Sequence, residues 1–252
     1  MKTKFIVVLL MLCAFYQANA QRKKVAVVTF YVNKHIGFEA LGGGAALAGS
    51  IASLSEDPKF DLTSVLNNFH DVFFTEYAEQ FPFDLLPEEE VLNNAEYQDY
   101  VSNFGETNDE ERDKLFQQYI TYEGYKPLIE TASLGNKNLK AKSNEMRMLE
   151  IFEGKVDGVM FVYLDYGFVK KSMGLAAGIQ AYARMKLWNT EGKKVFKINE
   201  VATSKKSVPV VAGVPVMKVD KLLPLCENAS EELIEDLGKR LKKIAGKADK
   251  KL

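Results

Sequence analysis

Histidine is scarce in this chain, and its scarcity limits the chemistry that the protein can offer. There are two histidines in 252 residues, and His70 is predicted to be solvated on the polar flank of a helix. His35 stands four residues before Glu39, but the intervening Gly37 weakens the helix that would bring the pair together. No nucleophile elbow of the Gly-x-Ser-x-Gly kind occurs either. The sequence therefore predicts no catalytic residue, no metal site, no cofactor and no enzyme.

An excess of charge of either sign is also missing. The chain carries 33 basic and 34 acidic residues, a formal net charge of −1. This near-neutrality argues against nucleic-acid binding, which requires a basic face. Seven basic residues between Lys239 and Lys251 are a local exception. They are predicted to complement the negative end of a terminal helix, and the alternative is a tail that binds a membrane surface or a partner.

Apolar runs long enough to cross a bilayer are absent too. The stretch from Phe5 to Tyr16 has 12 residues, whereas a transmembrane helix needs about 20. It follows Lys2 and Lys4 and precedes Ala18-Asn19-Ala20, the order of a secretory signal peptide. We expect residues 1–20 to be removed before Gln21, which makes the protein periplasmic or extracellular.

Cysteine is as rare as histidine, with Cys13 and Cys226 alone. Lipidation at Cys13 is an alternative to cleavage before Gln21. The cut that precedes a lipidated cysteine requires a small residue before the cysteine, and Leu12 occupies that position. A retained membrane anchor is the other alternative. With cleavage before Gln21 only Cys226 remains, so an intramolecular disulfide is excluded and the fold must depend on a hydrophobic core. Cys226 itself is predicted to be a small buried apolar residue.

Five segments have the patterns of β-strands. Val25–Val32 and Val156–Tyr166 are apolar runs typical of strands buried on both faces. Ile179–Trp188 alternates apolar and polar residues, which predicts a strand with one wet face, and Val195–Thr203 is its hairpin partner. Phe83–Leu86 is a shorter strand.

Helices are predicted from apolar residues spaced three and four apart and from capping signals. Prolines 209, 215 and 224 are expected to break the connector before the last helix. The predicted helices are Asp61–Phe81, Thr107–Ile120, Asn144–Phe152 and a terminal helix capped by Asn228 or Ser230.

This order of elements predicts an α/β (α+β) fold, with a mixed sheet of about five strands and helices packed on it. Residues 21–252 are expected to form one domain, in which residues 91–155 are a helical insert.

The same order resembles an envelope family that includes the curli-secretion lipoprotein and the amino-terminal domain of the Tol-system propeller protein. The resemblance rests on the first strand, on Phe83-Asp84-Leu85-Leu86, on Val156-Asp157-Gly158-Val159-Met160, and on the hairpin turn Leu187-Trp188-Asn189-Thr190-Glu191-Gly192. It implies an anticodon-binding-like topology and a non-enzymatic assembly or scaffold role in the bacterial envelope. It assigns no functional residue.

Two apolar, uncharged segments are the candidate interaction surfaces. The glycine-rich stretch Gly37–Leu54 follows a buried strand but matches neither phosphate-binding fingerprint, so it is expected to pack tightly or to contact a membrane or a second copy. The connector Val208–Val219 is expected to cover the sheet or to bind a partner. The candidate surface residues are Gly42, Gly43, Gly44, Gly49, Val210, Val211, Val214 and Met217.

From these segments the sequence predicts a partner-binding or self-associating assembly component. The alternative is a small-molecule-binding protein or a hydrolase with a site at the strand ends near the glycine-rich stretch. Its candidate residues are Asp157, Asp165 and Tyr166.

Overall fold

A computed structural model of the protein shows how these segments are arranged. The predicted signal peptide, Gly43 and Thr107 lie outside the described residues. The structure describes residues 22–42, 44–102, 109–130, 143–246 and 248–252.

The described residues contain eight strands that form a mixed sheet, so the predicted α/β class is confirmed. The anticodon-binding-like topology stays a prediction. The strands are β1 (Lys24–Gly37), β2 (Asp84–Leu85), β3 (Tyr119–Thr121), β4 (Gly158–Lys171), β5 (Ala176–Asn189), β6 (Lys194–Thr203), β7 (Val208–Val211) and β8 (Val214–Pro215).

The helices of the described residues lie on both sides of the sheet. They are α1 (Ala45–Glu56), α2 (Thr63–Val72), α3 (Glu88–Leu92), α4 (Ala95–Asp99), α5 (Asp109–Phe116), α6 (Asn144–Ile151) and α7 (Val219–Ala245).

Strand order places β1 and β4 in the middle of the sheet. β1 is parallel to β4 on one side and to β2 on the other, with β3 antiparallel beside it. β4, β5 and β6 then form an antiparallel meander. β7 pairs with the start of β5 and continues into a hairpin with β8. Because β1 and β4 are parallel, both finish at the same end of the sheet.

Each face of the sheet has its own core. On one face, apolar side chains from β1, β4 and β5 pack against α1, α2 and α7, whose Leu233, Leu237 and Leu241 are fully buried. On the other face, a smaller cluster includes Phe161 and is covered by the insert, from which Tyr97 and Phe152 enter the core. Coverage on both faces explains why β1 and β4 are almost continuous apolar runs.

The predicted elements differ from the structure in several places. The helix predicted over Asp61–Phe81 is an α-helix over Thr63–Val72 and continues as a π-helix and a 3₁₀ turn to Gln80, and the glycine-rich stretch contains the unpredicted helix α1. The three strands that were not predicted, β3, β7 and β8, have two to four residues each. The helix expected to continue to Ile120 ends at Phe116, and Ile120 lies in β3. Pro224 does not break the last helix: α7 begins at Val219, since burial of Leu222, Leu225 and Cys226 offsets the hydrogen bond that proline cannot donate.

Within the described part of the chain, no helix is both long and apolar enough to span a membrane.

Candidate functional site

Two hairpin turns lie side by side at the end of the sheet where β4 finishes. Ser172–Leu175 joins β4 to β5, and Ala212–Gly213 joins β7 to β8. The amide of Val210 donates a hydrogen bond to the carbonyl of Leu175, 3.0 Å away. We call the segments Ser172–Leu175 and Val211–Val214 together the sheet tip.

Large apolar side chains of the sheet tip are exposed to solvent. The exposed fraction is 106% for Met173, 76% for Leu175 and 65% for Val211. The other exposed large apolar residues of the described chain, Val101 and Val201, lie away from these turns. A group of apolar side chains at one place on a surface is typical of an interaction site.

Backbone conformation at the sheet tip is unfavourable for the residues found there. Among the described residues, the non-glycine residues with positive φ are Ser172 (49°), Met173 (56°) and Ala212 (50°). The left-handed region costs a residue with a side chain about 1 kcal/mol. Glycine or asparagine would serve these turns better. Met173 and Ala212 are therefore not the residues that would make these turns most stable.

Lysines lie in the chain segments next to the sheet tip, at the end of β4 and in the β6–β7 turn. Lys170 and Lys206 are exposed, and no carboxylate of the described residues forms an ion pair with either. The ammonium of Lys171 donates hydrogen bonds to the carbonyl oxygens of Ser204, Lys205 and Lys206, which holds the β6–β7 turn against the end of β4. The apolar turns thus have a basic border.

The predicted surface residues lie in two neighbouring regions. Gly42, Gly44 and Gly49 are exposed, whereas Gly43 is outside the described residues. Gly42 has φ of 71°, which glycine adopts without strain. The glycine-rich stretch leaves β1 at the same sheet end that carries the sheet tip, because Gly37 pairs with Gly167 of β4.

Of the connector residues, Val211 belongs to the sheet tip and is exposed. Val210, Val214 and Met217 are half-buried against the main core. Met217 borders an open groove whose other wall is Leu54 of α1. The structure therefore brings the two predicted segments together along this groove.

The alternative site is not assembled. Asp157 lies at the far end of β4, where its carboxylate accepts hydrogen bonds from the Lys24 amide (2.8 Å) and the Lys23 ammonium (2.9 Å). Burial raises the pKa of Asp157, but these bonds outweigh burial and the pKa is lowered. The Tyr166 hydroxyl bonds Ser230 in the core at 2.8 Å.

Asp165 faces the other side of the sheet from Tyr166, since adjacent strand residues point to opposite faces. Its carboxylate pairs with the guanidinium of Arg184. Asp157 lines an open cavity with Lys23, Lys24 and Lys155, and neither Asp165 nor Tyr166 lines that cavity.

A buried charged cluster on this second face was not predicted. The carboxylate of Glu130 lies between the ammonium groups of Lys186 and Lys194, and the Glu130 side chain is 7% exposed. Lys186 also lies 5.3 Å from the ring centre of Tyr163, which stacks on Tyr31 at 4.9 Å. Burial raises the pKa of both tyrosines. Alternation along β5 had indicated a wet face, and the insert covers part of it.

His70 was also interpreted wrongly, because it is 6% exposed rather than solvated. Its Nε2 lies 2.7 Å from a carboxylate oxygen of Glu88, and its ring stacks on Tyr122 with ring centres 3.4 Å apart. Glu88 is the first residue of α3. A helical pattern does not say which polar residue meets a neighbouring element, so the sequence carried no signal for this pair.

Fold and surface together define an α/β protein whose mixed sheet ends in exposed apolar turns bordered by lysines. Compared with protein-family models and with curated proteins, the chain matches none. In the described residues, no group of three or more histidine, cysteine, aspartate or glutamate side chains is placed to hold a metal ion.

Proposed function

We propose that this protein is a non-enzymatic, exported component of the cell envelope that works by binding a partner, either a protein or a membrane surface, through the sheet tip. The observation that carries the proposal is the exposure of Met173, Leu175 and Val211 on turns whose backbone would be more stable with other residues. Exposed residues that lower the stability of a turn are expected where their side chains serve binding.

Support for a non-enzymatic role comes from the contacts of the residues that a hydrolase would have used. Asp157 caps the start of β1, Asp165 pairs with Arg184, and Tyr166 bonds Ser230 in the core. Each of these groups is engaged in holding the fold together. Burial raises the pKa of the Cys226 thiol, which disfavours the reactive thiolate.

Site-specific crosslinking tests the proposal. A photoreactive phenylalanine is placed at position 173 or 211 in cells that express the chain, with position 153 as control. Glu153 is exposed and precedes β4, at the opposite end of the sheet from the tip. We expect adducts, to protein or to lipid, from positions 173 and 211 and not from 153. Adducts formed equally from all three positions, or absent from 173 and 211, would contradict the proposal.

A further inference from the structure

The charge of the segments around the sheet tip has one sign. Residues 166–179 and 203–219 contain five lysines and neither aspartate nor glutamate. Carboxylates of other segments lie nearby: Glu232 pairs with Lys205 at 2.5 Å, Glu39 lies in the turn after β1, and Asp57 and Asp220 line the same groove as Lys218. Lys170 and Lys206 form no ion pair with a carboxylate of the described residues, so the positive charge closest to the turns along the chain is not neutralised by an ion pair. The five lysines are Lys170, Lys171, Lys205, Lys206 and Lys218.

Lysines stand close behind the apolar turns. Lys170 lies near the end of β4, three residues before Met173, and Lys206 lies in the β6–β7 turn, five residues before Val211. The side chain of Lys171 ties the turn that carries Lys206 to the β4–β5 hairpin. In both segments an exposed lysine thus precedes the turn that carries the exposed apolar side chain.

This arrangement fits one kind of partner better than the others. An anionic bilayer offers an apolar layer beneath a negatively charged surface, which matches exposed apolar residues next to lysines. A second copy of the chain would bring two basic borders together. Three exposed side chains are also too few for a stable protein dimer, which buries about 800 Å² on each partner.

We infer that the sheet tip docks on an anionic lipid surface, with Met173, Leu175 and Val211 entering the headgroup layer while Lys170 and Lys206 face the negatively charged headgroups. The inference rests on the proposed function, because it names the partner of the same surface.

Vesicle flotation tests the inference. The protein is purified from the exported fraction and its N-terminus is read by mass spectrometry, so that every variant compared has the same start. It is mixed with vesicles of phosphatidylcholine alone, or with about 30% phosphatidylglycerol. We expect binding to the anionic vesicles that weakens as salt is raised and screens the charges, and at least tenfold weaker binding to phosphatidylcholine alone.

Two charge-reversal pairs separate the sheet tip from the basic terminal tail. K170E/K206E changes the border of the tip, and K242E/K243E changes exposed lysines at the end of α7. Each lysine near an anionic surface contributes roughly fivefold to partitioning. We expect the tip pair to lower binding more than about tenfold and the tail pair to change it less than about twofold.

A variant without the exposed apolar side chains tests whether these side chains enter the lipid headgroup layer. M173S/L175S/V211S removes the projecting side chains, and V201S is its control, because Val201 is exposed on β6 away from the tip. We expect more than about tenfold loss of binding for the first variant and little change for the second. Thermal unfolding of each variant shows that the fold persists.

Three results would overturn the inference: failure of the unaltered protein to bind anionic vesicles, equal binding to both compositions, or loss with the tail pair and not with the tip pair. Failure on vesicles together with protein adducts from position 173 would remove the lipid partner and leave the proposed function standing. Failure on vesicles together with no adducts from the tip would remove both.

Discussion

Glu130 is the residue whose replacement is expected to destabilise the molecule most clearly, because its carboxylate is buried between two ammonium groups. The Lys194 ammonium lies 2.5 Å from Oε1 of Glu130, and the Lys186 ammonium contacts the other carboxylate oxygen, Oε2. Glu130→Gln leaves the Lys186 ammonium, whose side chain is 10% exposed, without its counter-ion. We expect a loss of about 3 kcal/mol in the free energy of unfolding, measured by urea denaturation at pH 7.

Glu191→Gln is the matched control, since Glu191 pairs with Lys193 on the exposed surface at 2.7 Å. Exposed pairs of this kind contribute little to stability. Equal urea midpoints for the two variants would show that the buried cluster does not stabilise the fold.

The same glutamate predicts a pH dependence. Burial raises the pKa of Glu130, but hydrogen bonds from Lys186 and Lys194 outweigh burial, so the pKa in the folded state lies below the ordinary value. A lowered pKa contributes stability that is complete above the unfolded value of about 4.3 and is lost as pH falls through the folded value. Between pH 5 and 3 the unaltered protein should therefore lose more stability than Glu130→Gln. Parallel losses would contradict this.

Among the elements, the β7–β8 hairpin allows a test of backbone strain, because substitutions at two adjacent residues are expected to change the free energy of unfolding in opposite directions. Ala212 and Gly213 have φ of 50° and 80°, the positive values of a type I′ turn. Ala212→Gly should raise the free energy of unfolding by about 0.5–1 kcal/mol, and Gly213→Ala should lower it by about 1 kcal/mol. Differential scanning calorimetry measures both. A destabilising Ala212→Gly would show that residue 212 is not strained.

Elements with strong patterns could be predicted from the sequence. The apolar run of Val25–Val32 lies within β1, and the alternation of Ile179–Trp188 matches β5. The apolar residues of that alternation are fully buried: Ile179, Ala181, Ala183, Met185 and Leu187. These patterns predict the strands correctly because each face of a long strand keeps one environment, either core or surface, along its whole length.

Short elements could not be predicted, because they depend on their neighbours. Tyr119–Thr121 is a strand only since β1 offers a free edge there, and α7 continues through Pro224 only because its flanks are buried on the sheet. His70 is buried because Glu88 and Tyr122 meet it from distant parts of the chain. None of these contacts leaves a local signature.

For the molecule as a whole, the candidate site was predicted in part. The apolar connector drew attention to Val211, which lies at the sheet tip, whereas Met173 and Leu175 were not singled out. A turn between two strands gives no sign in the sequence of whether another element covers it. Only the assembled sheet shows that the β4–β5 and β7–β8 turns emerge together and uncovered at one end.

The central claim is that the sheet tip contacts an anionic membrane surface, and tryptophan fluorescence of Met173→Trp tests it most directly. The protein's single tryptophan, Trp188, is 5% exposed and pairs with Val159 at the opposite end of β4, so the unaltered protein is its own control. With anionic vesicles that contain brominated lipid, we expect emission from Met173→Trp to shift to shorter wavelength and to be quenched, while emission from the unaltered protein stays the same. Binding of Met173→Trp to the vesicles without shift or quenching would contradict the account.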